Sequence, residues 1–156
     1  MIRRISNIVL KPISRDENGE IYSDVKIDGV NCGFNILGAY LEAAFIFQNK
    51  FILLFVTLEG GCFEELLHIY LVDQHKMKII DYAEIGNFFG YTYGDVSDIQ
   101  IKTNNTIFFK FLTTNGWLLT LYNKPVRNFS TFFRTFLTIK QPFLLKQYFS
   151  VIEVKA

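Results

Sequence analysis

Ile, Val, Thr, Phe, Tyr and Trp supply 63 of the 156 residues, whereas alanine supplies only five. Branched and ring-bearing side chains pack well on a pleated, half-buried surface, and a helix-rich chain would use far more alanine. The chain is therefore expected to be mainly β: a single domain over residues 1–156, built as an antiparallel meander, a sandwich or a propeller-like blade. Its length suits one domain that buries a core without metal or disulfide.

Turn chemistry divides the chain. Ile2 to Leu10 reads as a first strand. Asp16-Glu17-Asn18-Gly19 follows as a loop, and Glu20 to Ile27 runs to a second turn at Asp28-Gly29. Leu41 to Phe47 and Phe51 to Leu58 form a hairpin around Gln48-Asn49-Lys50, with the second strand strongly buried. Glu65 to Val72 and Met77 to Ile85 form the clearest hairpin, closed by Asp73-Gln74-His75-Lys76. Ser97 to Lys102, Thr106 to Leu112 and Trp117 to Tyr122 continue the series, and Gln147 to Lys155 ends it. Between them Phe129, Phe132, Phe133, Phe136 and Leu137 fit one face of a short helix ending before Pro142, while their β preference leaves a strand open over 129–141.

A net charge of +1 conceals an uneven distribution along the chain. Residues 1–15 carry +4, residues 16–98 carry −10 and residues 99–156 carry +7. If the acidic middle gathers on one face, it suits a basic partner, because complementary charge speeds encounter and selects the partner. The candidate partner-binding carboxylates are Glu59, Glu64, Glu65, Asp73, Asp81, Glu84, Asp95 and Asp98. The aromatics Phe88, Phe89, Tyr91 and Tyr93, packed into the glycine-bounded stretch Gly86 to Gly94, would supply contact energy that carboxylates rarely provide. The C-terminal lysines and arginines do not make a nucleic-acid module: no aromatic RNA-binding signature or zinc-finger spacing accompanies them, and the pI is 7.7.

No catalytic constellation is legible. His68 lies in a strand and His75 in a turn, and Cys32 and Cys62 show no paired metal-ligand spacing. Glu64 and Glu65 would disfavour a Cys62 thiolate. Neither a Walker loop nor a dinucleotide fingerprint is present. The expectation is a protein with no enzymatic activity, no cofactor and no metal. Only short apolar runs occur, with no secretory leader pattern and two cysteines, so a cytoplasmic location without membrane contact is expected.

The runs Phe51-Ile52-Leu53-Leu54-Phe55-Val56-Thr57, Phe63 to Asp73, Lys78-Ile79-Ile80-Asp81 and Glu84-Ile85-Gly86 resemble small β-rich bacterial immunity proteins of contact-dependent and other polymorphic toxin systems, over roughly residues 50–122. The resemblance implies a cytoplasmic protein that forms a heterodimer with one toxin C-terminal domain, often a nuclease, and blocks its active site. It carries over no catalytic residue. The alternative is a β-rich ligand-binding or scaffold domain unrelated to toxins.

Overall fold

A computed structural model describes residues 1–17, 19–58, 66–86, 95–112, 115–126, 139–140 and 146–154, the backbone alone at 139–140. The strands are β1 (Ile2–Ile5), β2 (Ile8–Arg15), β3 (Ile21–Ile27), β4 (Val30–Leu37), β5 (Tyr40–Phe47), β6 (Phe51–Thr57), β7 (Leu66–Asp73), β8 (Lys78–Gly86), β9 (Ser97–Ile101), β10 (Thr106–Lys110), β11 (Trp117–Val126), β12 (Ile139–Lys140) and β13 (Gln147–Glu153). They form three antiparallel sheets, ordered β1-β5-β6-β7-β8-β12, β13-β11-β10-β9 and β2-β3-β4. The chain is thus mainly β, as its composition predicts.

The six-stranded sheet lies between the other two. Phe51 to Val56 and all of β7 are buried, which a strand achieves only when both its faces are covered. Alternate residues face opposite layers. Leu53, Phe55, Leu67, Ile69 and Leu71 pack with Phe109, Trp117, Leu119 and Phe149 of the four-stranded sheet. Ile52, Leu54, Val56, Tyr70 and Val72 pack with Ile8, Val25, Cys32 and Ile36 of the three-stranded sheet. The Phe55 and Phe109 rings meet edge to face at 5.0 Å, and the buried Trp117 indole donates to the Phe111 carbonyl at 2.8 Å.

The turns fall largely where their chemistry places them. Asp28 and Gly29 have φ of 51° and 79°, the paired positive values of a tight hairpin turn between β3 and β4. The Gln48–Lys50 and Asp73–Lys76 turns close the two central hairpins. Ile2 to Leu10, however, is two strands. β1 stays in the central sheet against β5, and after Ser6-Asn7 the chain crosses to the outer layer as β2. The crossing is pinned at Asn7, whose carbonyl accepts from Asp28 N at 2.9 Å and whose amide donates to Asp28 Oδ1 at 3.0 Å. β4, with Asn31, Gly33 and Asn35 on its exposed side, was not anticipated. The segment weighed as helix or strand lies outside the described residues except for Ile139–Lys140, which pairs with β8 as a short strand.

Candidate functional site

The central hairpins define two ends of the sandwich. At one end β5 begins, β6 ends, β7 begins and β8 ends. The β2–β3 turn joins this end, because Gly38 N donates to Ile21 O at 2.8 Å and Ala39 N to Thr57 O at 2.9 Å. The four-stranded sheet brings residues 95–98, Lys110 and Glu153 to the same end: Phe109 packs on Phe55 here, while Asn123 meets Gln48 at the other end. Among the described residues this end carries Asp16, Glu17, Glu20, Glu42, Glu84, Asp95, Asp98 and Glu153 against Arg15 and Lys110. The opposite end carries Lys50, Lys76, Lys78, Lys102, Lys124 and Lys146 against Asp28 in the β3–β4 turn and the buried Asp73 at the end of β7. Charge is sorted by end of the sandwich rather than by stretch of sequence.

Two predicted partner-binding carboxylates do not belong to this surface. Asp73 is 4% exposed, and its Oδ1 accepts from the backbone N–H groups of His75 and Lys76, shaping the turn after β7. Asp81 is 1% exposed. Its Oδ1 accepts from Tyr82 N, and its Oδ2 from Tyr148 N at 2.6 Å and Phe149 N at 3.2 Å, which ties β13 to β8. Both carboxylates complete the backbone hydrogen bonding of the fold, so the reading of them as surface groups is corrected.

Glu84, by contrast, lies at the acidic end of the sandwich. Its side chain is 15% exposed, and Oε2 accepts from the Tyr82 hydroxyl at 2.8 Å. His68 lies beneath, fully buried, with Nδ1 2.8 Å from the Tyr82 oxygen and 3.8 Å from Glu84 Oε2. Since the Tyr82 proton points to Glu84, the tyrosine oxygen accepts from His68 Nδ1–H, and Nε2 is left without a hydrogen-bond partner. Burial pushes the imidazole pKa down to about 4 against the pull of Glu84, so the ring is neutral at pH 7. Burial and the bond to Glu84 hold the Tyr82 hydroxyl protonated far above the usual phenol range. Tyr70 is likewise raised by burial, and its hydroxyl donates to Leu37 O at 3.0 Å. The rings of His68, Tyr70 and Tyr82 lie 5.1 to 6.1 Å apart.

Nearby, Glu42 Oε1 accepts from the Thr57 hydroxyl at 2.6 Å. Asp95 is exposed, and Asp98 pairs with Lys110 at 2.7 Å in open solvent. Glu59, Glu64, Glu65, Phe88, Phe89, Tyr91 and Tyr93 lie outside the described residues. Sequence reasoning missed Glu20, Glu42 and Tyr82. The alternation Tyr82-x-Glu84 opposite His68-x-Tyr70 is the signal that would have joined the last of these to Glu84, since such pairs share a face.

Chemically the end presents carboxylates, which attract cations, while the Tyr82 hydroxyl is committed to Glu84 and that of Tyr70 to the Leu37 carbonyl. The buried imidazole holds its hydroxyl neighbour in place and offers no exposed base. Among the described residues no group of three or more His, Cys, Asp and Glu side chains is arranged to hold a metal ion, and no helix is long and apolar enough to cross a membrane. No protein-family model matches the chain, and neither a curated protein nor a solved structure matches it.

Proposed function

We propose that this protein is a non-catalytic immunity or inhibitor protein that neutralises a cognate toxin domain by forming a one-to-one complex in the cytoplasm. The observation that carries this reading is the sorting of charge, with Glu20, Glu42 and Glu84 at one end of the sandwich and the lysines at the other. A toxin domain that acts on nucleic acid presents a basic surface to phosphates, and carboxylates fixed at one end compete for that surface. Tyr82 orients the Glu84 carboxylate before binding, which lowers the ordering cost of the complex.

The experiment is co-expression with the variable C-terminal toxin domain encoded by a neighbouring gene, read by growth rescue and by binding kinetics on the purified pair. Rescue, a one-to-one complex and an association rate that falls steeply with salt are expected. Glu42→Lys and Glu84→Lys each weaken binding at least tenfold, whereas Lys76→Glu, at the other end, slows neither association nor rescue. Absence of both rescue and complex overturns the reading and directs the search to small-molecule ligands by thermal shift. A complex indifferent to both glutamate reversals at low salt overturns the placement of the interface.

A further inference from the structure

The lysine-bearing end holds an open surface groove of about 400 Å3. Gln48, Asn104, Asn105, Tyr122, Asn123 and Lys124 are among its walls. Asn105 is committed to the fold: its Oδ1 accepts from Thr103 Oγ1 and its Nδ2 donates to Leu121 O, both at 3.0 Å. Gln48 Nε2 donates to Asn123 Oδ1 at 2.6 Å. That bond fixes the two amides against each other and leaves Gln48 Oε1, an acceptor, and Asn123 Nδ2, a donor, outside it. Such a pair complements the hydrogen-bonding edge of a nucleobase.

Lysines stand at the same end. Lys124 lines the groove, Lys50 follows Gln48 on its turn, and Lys102 precedes Asn104; all three are exposed. The Lys50 ammonium lies 4.8 Å above the Phe51 ring, and that of Lys102 lies 5.2 Å above the Phe108 ring and donates to Gln100 Oε1 at 2.6 Å. Asp73, which ends β7 at this end, is buried and hydrogen-bonded to backbone N–H groups. We propose that this groove binds single-stranded nucleic acid, seating one base against the Gln48–Asn123 amide pair while Lys50, Lys102 and Lys124 meet the phosphates. The inference is independent of the toxin-binding reading, which concerns the opposite end. The sequence expectation against nucleic acid weighed whole-chain pI and motifs, whereas phosphates respond to the local field at one end of the sandwich.

The test uses the full chain and fluorescein-labelled twelve-nucleotide oligo-dT and oligo-U, followed by anisotropy between 50 and 200 mM salt. Three phosphate contacts on a single strand give a logarithmic salt slope of about −2, so saturable binding at 50 mM should weaken about 20-fold at 200 mM. Lys50→Glu with Lys124→Glu should weaken binding at least tenfold at 50 mM and flatten the slope. Asn123→Ala should weaken it with the slope unchanged. All three side chains are exposed, and thermal melts of the variants confirm that the fold is retained. No saturable binding at 50 mM salt overturns the proposal, as does binding unmoved by the lysine reversals. Competition by polyglutamate as effective as by unlabelled oligonucleotide also overturns it, because the groove would then read charge alone.

Discussion

Asp81 joins two sheets with one carboxylate, and its removal would leave the N–H groups of Tyr82, Tyr148 and Phe149 short of an acceptor. Bonds to a charged acceptor contribute about 1.5–3 kcal/mol each, and buried donors left unmade are costly. Asp81→Ala should therefore cost about 3–5 kcal/mol, measured by urea denaturation, while Glu42→Ala at the accessible end should cost about 1 kcal/mol or less. His68 makes a second prediction, set by pH. Its folded pKa of about 4 lies below the usual 6.5, so between these values the unfolded chain binds the proton more readily. Stability attributable to His68 is complete above pH 6.5 and is lost as pH falls towards 4, by on the order of 3 kcal/mol. Denaturation midpoints at pH 7 and pH 5 should differ more in the wild type than in His68→Gln, and equal differences would remove His68 as the cause. At this scale the sequence was only partly legible. Asp81 and Glu84 lie three residues apart on one strand and so face opposite layers: Asp81 lies under the N–H groups that open β13, whereas Glu84 lies near the end of β8, 15% exposed. Alternation tells that the two carboxylates part to opposite faces, but not which sheet covers either face.

Strands and hairpins were the most legible level. Asp28-Gly29 and the polar turns at 48–50 and 73–76 announce themselves through residues that tolerate positive φ or bond their own backbone. Tertiary demands decided the rest. The chain leaves the outer sheet and enters the central one at Gly38, where φ is 129° and an added Cβ would collide with Val56 Cγ1 and lie 3.2 Å from Thr57 O. The Gly38 carbonyl also accepts from the buried Ser23 hydroxyl at 2.7 Å. Gly38→Ala should cost at least 2–4 kcal/mol, combining backbone strain with overpacking. Gly33, with φ of 76° and open space around it, isolates the strain: Gly33→Ala should cost about 1–2 kcal/mol. Similar melting temperatures for the two variants would show that the Val56 collision relaxes without penalty. β4 escaped notice because its outward side carries Asn31, Gly33 and Asn35, poor strand formers that its pairing to β3 overrides.

For the whole molecule, composition foretold a β protein, and the apolar run of β6 marked a strand without a solvent face. The stacking of three sheets was not legible, because alternating apolar positions in outer strands say which residues turn inward but not against which sheet. The charge pattern was hidden for a related reason. Antiparallel strands return the chain to the same end at every second turn, so Glu20, Glu42, Glu84 and Glu153 share an end despite their distance in sequence, and a running sum along the chain dilutes them. The covered central sheet carries a consequence for descent. Substitution in β6 and β7 is restrained from both sides at once, whereas exposed charged side chains at the strand ends, unlike the buried Asp73, carry little of the scaffold's own bonding. Lineages of this fold can exchange one binding specificity for another at the ends while the interior keeps its side chains, and two relatives with the same core can recognise partners of opposite charge.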